Sequence, residues 1–569
     1  MLNFIYKKFT IIINLNNIKI MVYIILMERI MPSNLEILPG VLLLENNKTY
    51  GRTANNKRLL YKCIPNNKNT QPFLIPYEIK MEFSKKFINK YITFKFEYWT
   101  KTTEYPVGQI IETLGNVDNL EVFYEYQLYC KNLHISNLKL INQTRIMFQQ
   151  HPADEYILQI LHNPQFKIED RCQEYIITID PPNSRDFDDG FSITPCINEK
   201  MVQSQYKISI YIANVFFWLE ILDLYPYLSD RISTIYLPDK KRPMLPPILS
   251  DSLCSLQENQ NRFAFTMDLI VDENGHILEE PRYCNTIIKV AKNYCYEESK
   301  LLNDAQYKLL FGITKKMQNT DQIIDSHDLV AYWMMQMNIH CSEYMIQYKF
   351  GIFRNATIWN SETDGNPLIT DQFQDSGGNP LIKDQCQETA HIIQYWNNSS
   401  GQYILYSDNH KELEHAIMQL KSYIHITSPI RRLVDLLNQM EMMRHLGCIG
   451  NLSHNATEFL LKWIQKIDYI NTTTKSIRKV QTECELLHKC VTDTTIIGKS
   501  YNGIILHNFV KPNGKNTYSV YLESLKIIYN ITIYEILEIH STYKFKLFLF
   551  QDEYNNKKKI RLQLITKNV

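Results

Sequence analysis

Between residues 35 and 140 the pattern of apolar and polar positions is that of short strands. Gly40-Val41-Leu42-Leu43-Leu44 is an apolar run bounded by asparagine-rich turns, residues 91–99 alternate apolar and polar positions, Pro106-Val107-Gly108 marks a turn, and 109–115 reads as the next strand. This spacing predicts two small antiparallel barrels in tandem, over residues 35–84 and 85–140, the first weakly patterned. A helical period takes over at 137–160 and leads into a long mixed region, 141–489. There strands at 174–179 and 206–213 precede helices at 323–347, 412–419 and 430–444. Beyond residue 490 short strands return at 503–506, 517–521 and 544–550, predicting a third barrel over 490–569. The expected fold is multidomain α+β, a large central domain flanked by small β-barrels.

Length agrees with that division, since 569 residues exceed the usual single domain and call for three or more units. With 45% hydrophobic and 21% charged residues the chain is an ordinary globular protein, and global disorder is excluded. Its 61 Lys and Arg against 60 Asp and Glu leave a net charge of +1, so any site for a polyanion must be built locally. The 12 cysteines include no Cys-x-x-Cys pair, and Cys484, His488 and Cys490 lack a second ligand pair, so zinc is not expected. Scattered cysteines fit a reducing compartment, and the expected location is cytoplasmic. Residues 1–34 are apolar but interrupted by Asn14, Asn16, Asn17 and Lys19, short of the ~20 unbroken residues of a membrane span. They read as an apolar extension, or as sequence ahead of a start at Met21, Met27 or Met31.

The sharpest chemical signal lies at the end of the 174–179 strand. Asp180-Pro181-Pro182-Asn183-Ser184-Arg185-Asp186-Phe187-Asp188-Asp189-Gly190 places four carboxylates within ten residues, and such a density of like charge repels unless a cation neutralises it. The two prolines and Gly190 indicate a coiled loop that can converge the acids, and oxygen donors at a strand end suit Mg²⁺. A solvated acidic turn is the alternative. A calcium loop fails on spacing, because aligning Gly190 as the loop glycine puts Arg185 and Cys196 at ligand positions.

A second signal is Tyr423-Ile424-His425-Ile426-Thr427-Ser428-Pro429-Ile430-Arg431-Arg432-Leu433-Val434-Asp435. Here Ser428 is the expected cap of the 430–444 helix, Pro429 its first residue, and the two arginines fall in its first turn. Cations are unfavourable at a helix N-terminus, so their presence suggests an anion such as a phosphate, or pairing with Asp435 or surface carboxylates.

Together these segments resemble the RNB catalytic domain of the ribonuclease II and ribonuclease R family, and the resemblance, in the same order, covers most of the chain. Tyr211-Ile212-Ala213-Asn214-Val215 is similar to the family's His-Ile-Ala-Asp-Val strand, and the stretches 233–238, 243–246, 249–250 and 253–256 to its next blocks. The resemblance implies a central RNB domain with two cold-shock-type OB barrels on its N-terminal side and an OB-type RNA-binding domain on its C-terminal side. It implies that Asp180, Asp186, Asp188 and Asp189 hold metal, two Mg²⁺ with Mn²⁺ as a substitute. Asp188 is then the carboxylate most critical for chemistry, and Arg431 the catalytic contact at the scissile phosphate. Tyr296 stacks on the last nucleotide, and Arg431, Arg432 and Tyr423 bind RNA. The implied activity is hydrolytic 3′-to-5′ degradation of single-stranded RNA to nucleoside 5′-monophosphates, by a monomer with no membrane and no obligate protein partner.

Departures from the family pattern are local. The family's Val-Glu-Glu-x-Met helix is Val330-Ala331-Tyr332-Trp333-Met334 here, without its two glutamates, and Asn214 stands for an aspartate. Without the resemblance, Tyr294 and Tyr296 read as residues of an amphipathic helix. Two other functions remain open: an RNA-binding protein on a weakened RNB scaffold, and a metal-dependent phosphodiesterase of small nucleotides.

Overall fold

The computed structural model describes residues 8–15, 18–25, 36–53, 58–79, 87–99, 104–196, 205–318, 323–356, 401–416, 418–510, 514–552 and 558–566. They fall into two compact units. One comprises Met1–His134, Glu483–Ser500 and Lys546–Gln563, the other Ile135–Thr482, Tyr501–Phe545 and Leu564–Val569. Within the apolar extension, β1 (Lys8–Leu15) and β2 (Ile18–Ile25) pair antiparallel; the rest of that segment lies outside the described residues. Among the described residues no helix is long and apolar enough to cross a membrane.

The first unit holds a single closed five-stranded barrel where two were expected. Its strands are β3 (Leu38–Leu42), β4 (Leu59–Pro65), β5 (Phe73–Tyr77), β6 (Lys90–Tyr98) and β7 (Val107–Asn116), in the order β3-β4-β5-β7-β6. β6 pairs with β3 on one side and β7 on the other, while β5 meets β7 at Leu74 and Val107. The physical reason is edge satisfaction: β3 to β5 alone would leave two open edges, and the strands assigned to a second barrel are the staves that close the first. Leu42, Cys63, Phe73, Ile75, Ile92 and Phe94 fill it. Gly40 is required there, since a Cβ would sit 2.6 Å from the Cys63 sulfur and 2.9 Å from Phe94. Helix α1 (Leu120–Cys130) follows, with the Asn119 side chain capping its first turn.

The second unit opens with α2 (Leu138–Gln150) and α3 (Ala153–His162), the expected 137–160 helix broken at Pro152, which cannot continue the hydrogen-bond ladder. Then come β8 (Ile168–Asp180), β9 (Asp189–Cys196), β10 (Gln205–Ala213), the short helix α4 (Phe216–Ile221), and a two-residue ribbon of β11 (Ile235–Tyr236) and β12 (Lys241–Arg242). The long strands β13 (Asn261–Asp272) and β14 (Arg282–Cys295) complete a closed barrel ordered β10-β13-β14-β8-β9, with β14 and β8 parallel. A buried ion pair braces the barrel: Arg171 on β8 donates through both terminal nitrogens to Asp268 on β13, each at 2.7 Å, and Ser209 on β10 donates to the same carboxylate.

Around the barrel lie α5 (Ser299–Asn303), α6 (Ala305–Gln318), α7 (Ser326–Gln347), β15 (Ile352–Asn355), β16 (Gln402–Leu405), α8 (His410–Leu413), α9 (Leu433–His445), α10 (His454–Ile464) and α11 (Ile467–Thr492). α7 begins in a capping box between Asp325 and Asp328. The helix expected over 412–419 is only the single turn α8. At the C-terminal end, the described strands β17 (Ser500–Val510), β18 (Asn516–Leu522), β19 (Ile527–Ile533), β20 (Thr542–Gln551) and β21 (Lys558–Thr566) are ordered β19-β18-β17-β20-β21.

Candidate active site

The acidic loop joins two strands of the second unit's barrel, and this is what gathers the carboxylates. Asp180 is the last residue of β8 and Asp189 the first of β9; the chain reverses between them with Asn183 in the left-handed region, at φ 67°. The loop is fastened from beneath. Phe187 N–H donates to Ser255 Oγ, which in turn donates to the Arg185 carbonyl, and Leu256 N–H donates to the Phe187 carbonyl.

Four more segments bring side chains to the loop. The 423–432 segment supplies Ile430 N–H to Asp188 Oδ1 and Arg431 Nε to Asp188 Oδ2, both at 3.0 Å. The Arg431 carbonyl is held in turn by Thr234 N–H and Ser233 Oγ. From the β11/β12 ribbon, Lys241 Nζ sits 2.9 Å from Asp186 Oδ1 and 3.0 Å from Asp251 Oδ1. β14 ends so that Tyr296 N–H donates to the Asp180 carbonyl, and the Tyr296 ring stacks on His327 with centroids 3.6 Å apart. α7 presents Val330, Met334 and Asn338, and Asn338 donates to the Tyr423 hydroxyl. These groups line one cavity of about 1310 Å³, shared by all four aspartates, Tyr236, Lys241, Tyr296, Tyr423, His425, Arg431 and Arg432.

Electrostatics show the cavity short of positive charge. Burial, then the neighbouring charge of Asp189, pushes the Asp180 carboxyl up to about 8. Burial likewise raises Asp188 to about 7 and Asp189 to about 6, with Arg431 opposing both shifts. Asp180 Oδ2 is buried and makes no hydrogen bond. Burial, with Arg432, Arg354 and Arg478 nearby, holds His425 well below its usual value, so its ring is neutral. Asp180 and Asp189, the two of these four acids without an ion pair among the described residues, fit a Mg²⁺ ion that takes one or two carboxylates and keeps its waters. Asp186 and Asp188 do not offer a second such position as they stand, being paired with Lys241 and Arg431. Among the described residues, no three acidic, histidine or thiol groups already converge on one point.

Each expected site residue can now be placed. Asp180, Asp186, Asp188, Asp189, Tyr296, Tyr423, Arg431 and Arg432 all reach the same cavity. The helix expected from residue 430 starts at Leu433 instead, because Ser428 N–H donates to the fully buried Asp435 at 2.7 Å and leaves Arg432 extended, at φ −135°. Arg432 lines the cavity with Nη2 engaged, donating to Asp435 at 2.8 Å and to Ser428. Arg431 differs, engaging Asp188 through Nε with its side chain 43% exposed. Tyr294 lies on a strand and Tyr296 just beyond it, because their stretch pairs with β8. Asn214 is buried away from the cavity, donating to Asn285. Sequence reasoning missed Lys241, Asp251, Tyr236, Asn338 and His425. Lys241 lies in the run Asp239-Lys240-Lys241-Arg242, and that mixed charge next to a short strand was its only signal.

Comparison with known proteins follows the same outline. Residues 169–324 match the RNB domain model, and residues 63–126 the model of the Dis3-like cold-shock domain 2. The DIS3-like exonuclease 2 of Schizosaccharomyces pombe is 32% identical over 205 residues, 36% of this chain and 21% of that protein, so the match spans about a fifth of the relative's length. Ribonuclease R of Mycoplasma genitalium, solved with ribose-methylated single-stranded RNA, superposes with TM-score 0.65 at 16% identity, covering 98% of this chain and 94% of that one. Yeast Ssd1, described as a pseudonuclease, superposes with TM-score 0.55 at 13% identity over 95% of this chain and 69% of its own. Residues 169–324 are thus similar to the RNB domain and residues 63–126 to a Dis3-like cold-shock domain, in a fold like that of ribonuclease R.

Proposed function

We propose that this protein is a magnesium-dependent, hydrolytic exoribonuclease that shortens single-stranded RNA from its 3′ end and releases nucleoside 5′-monophosphates. One observation carries the reading: the four loop aspartates, the partly exposed Arg431 and three tyrosines line a single cavity. The cation supplies Lewis-acid polarisation of a phosphoryl oxygen and a more acidic water. The chain's own residues do the rest. Asp180 and Asp189 anchor the charge; Asp188, held by the Ile430 amide, aims the Arg431 guanidinium across the cavity. Among the described residues only Nε of Arg431 is engaged, so its terminal nitrogens are placed to meet phosphate oxygens. Tyr296, backed by His327, offers one ring face to a base.

The test is cleavage of 5′-labelled single-stranded RNA under single turnover. A ladder shortened from the 3′ end, mononucleotide product, dependence on Mg²⁺ and loss with EDTA are expected; endonucleolytic fragments or metal-independent cleavage refute the proposal. Asp188→Asn is expected to abolish cleavage while RNA affinity stays within a few fold. A second reading, a catalytically weakened RNA-binding scaffold, is favoured by one feature. Ala331 is exposed and Tyr332 buried in the helix beside the cavity, so neither position supplies the pocket acid of the family pattern. Tight RNA binding with no turnover at saturating Mg²⁺ would establish it.

A further inference from the structure

The sequence led to four metal-holding aspartates and two divalent ions, but the cavity already contains a cation among those acids. Lys241 Nζ lies 2.9 Å from Asp186 Oδ1 and 3.0 Å from Asp251 Oδ1, so it bridges two carboxylates much as a metal would. The position is built. Tyr236 and Lys241 are directly paired across the β11/β12 ribbon, and the Tyr236 hydroxyl donates to the other oxygen of Asp186 at 3.4 Å. Ser250 Oγ donates to Asp251 at 2.6 Å, and Gln257 Nε2 to its carbonyl, also at 2.6 Å. The lysine side chain is 26% exposed and Asp186 only 12%, so the pair is shielded from bulk water more than a surface ion pair.

An ammonium and a divalent ion cannot both occupy the same pair of carboxylates, because they repel at contact distance. An ammonium also does different work. It is a compact point charge with three donors that balances carboxylate and phosphate charge, yet it leaves the acidity of a bound water almost unchanged. Among the described residues Asp180 and Asp189 make no ion pair, although the Arg431 charge reaches both, and the buried Asp180 Oδ2 makes no hydrogen bond.

Resting on the metal-dependent reading above, we propose that Lys241 replaces one of the two divalent ions. Its ammonium holds Asp186 and Asp251, and the protein binds a single divalent ion on Asp180 and Asp189. Lys241 is then a positioning residue that sets the metal count of the site.

The experiment is a Mn²⁺ titration of the full chain without RNA, with free Mn²⁺ read by electron paramagnetic resonance. The wild type is expected to bind one ion per chain. Lys241→Met, which keeps the length of the stem and removes the charge, is expected to bind two, and Lys241→Arg one. Asp189→Asn should lose the wild-type ion, whereas Asp186→Asn should keep it with unchanged affinity. Two ions on the wild type, or one on a folded Lys241→Met, overturn the proposal while leaving a metal-dependent nuclease standing. Mn²⁺ bound by neither protein overturns both readings. If Lys241→Met does not fold, the Asp186→Asn titration decides: a weakened wild-type ion means that Asp186 is a metal ligand and Lys241 no substitute.

Discussion

Arg431 shows how one side chain is given a job by its neighbours. Its Nε is spent on Asp188 and its carbonyl on Ser233 and Thr234, which fixes the plane of the guanidinium and leaves the terminal nitrogens facing the cavity. A planar fork so held can contact two phosphate oxygens, and lysine cannot reproduce it. Arg431→Lys and Arg431→Ala are therefore both expected to lower kcat, by roughly 10²-fold for alanine, with little change in RNA affinity. Single-turnover rates measured beside equilibrium binding check this; weaker binding at an intact saturated rate would make Arg431 a ground-state anchor instead. The acids make a second prediction. The folded protein holds protons on Asp180, Asp188 and Asp189 up to about pH 8, 7 and 6, whereas an unfolded chain releases them near 4. The folded state thus binds more protons across that window, and metal-free stability falls as pH rises from about 4 to 8. Mg²⁺ should raise the melting temperature more at pH 8 than at pH 6, and Asp180→Asn should flatten the metal-free pH profile. Equal Mg²⁺ shifts at both pH values would show that these carboxylates do not hold the ion.

Among the elements, the barrel of the second unit carries the site, and its bracing is accessible to experiment. Arg171 and Asp268 are 7% and 5% exposed, so removing Asp268 leaves the buried guanidinium with only the more exposed Glu169 as an ionic partner. Asp268→Ala is expected to cost about 3–5 kcal/mol, and Arg171→Met combined with Asp268→Leu to recover most of it, as measured by denaturant unfolding. Strands β8 and β10 of the barrel and helix α7 were legible from their apolar periodicity, whereas β9, β13 and β14 were not assigned and Tyr294 on β14 read as helical. The acidic loop was legible for another reason: Pro181, Pro182 and Gly190 announce a reversal, and four acids so close together require a charge partner. What stayed hidden depends on partners distant in sequence. The start of α9 is set by the contact of Asp435 with Ser428, which competes with the cap that Ser428 would otherwise form, and local pattern cannot rank the two. The single N-terminal barrel depends on which edges meet, and strand-like runs carry no record of that. Lys241 is a surface lysine by sequence and a site residue only through residues 55 positions before it and 10 after it.

For the whole molecule the near-zero net charge means that the proposed RNA affinity would come from local contacts, and salt dependence would measure how many phosphates they neutralise. Deleting residues 490–569 is expected to weaken binding to long RNA and reduce the slope of log affinity against log salt. An unchanged slope would show that this segment holds no RNA. On the side of α7, Val330 and Met334 meet the cavity with a hydrocarbon and a thioether, while Asn338 spends its amide on the Tyr423 hydroxyl and the Ile426 N–H, which leaves little to exchange the hydrogen bonds that distinguish one base edge from another. A wall of this kind is illiterate: it senses that a base is flat and greasy, not which letter it is. Such an enzyme should consume oligo(A), oligo(C) and oligo(U) at rates that differ only as their stacking differs.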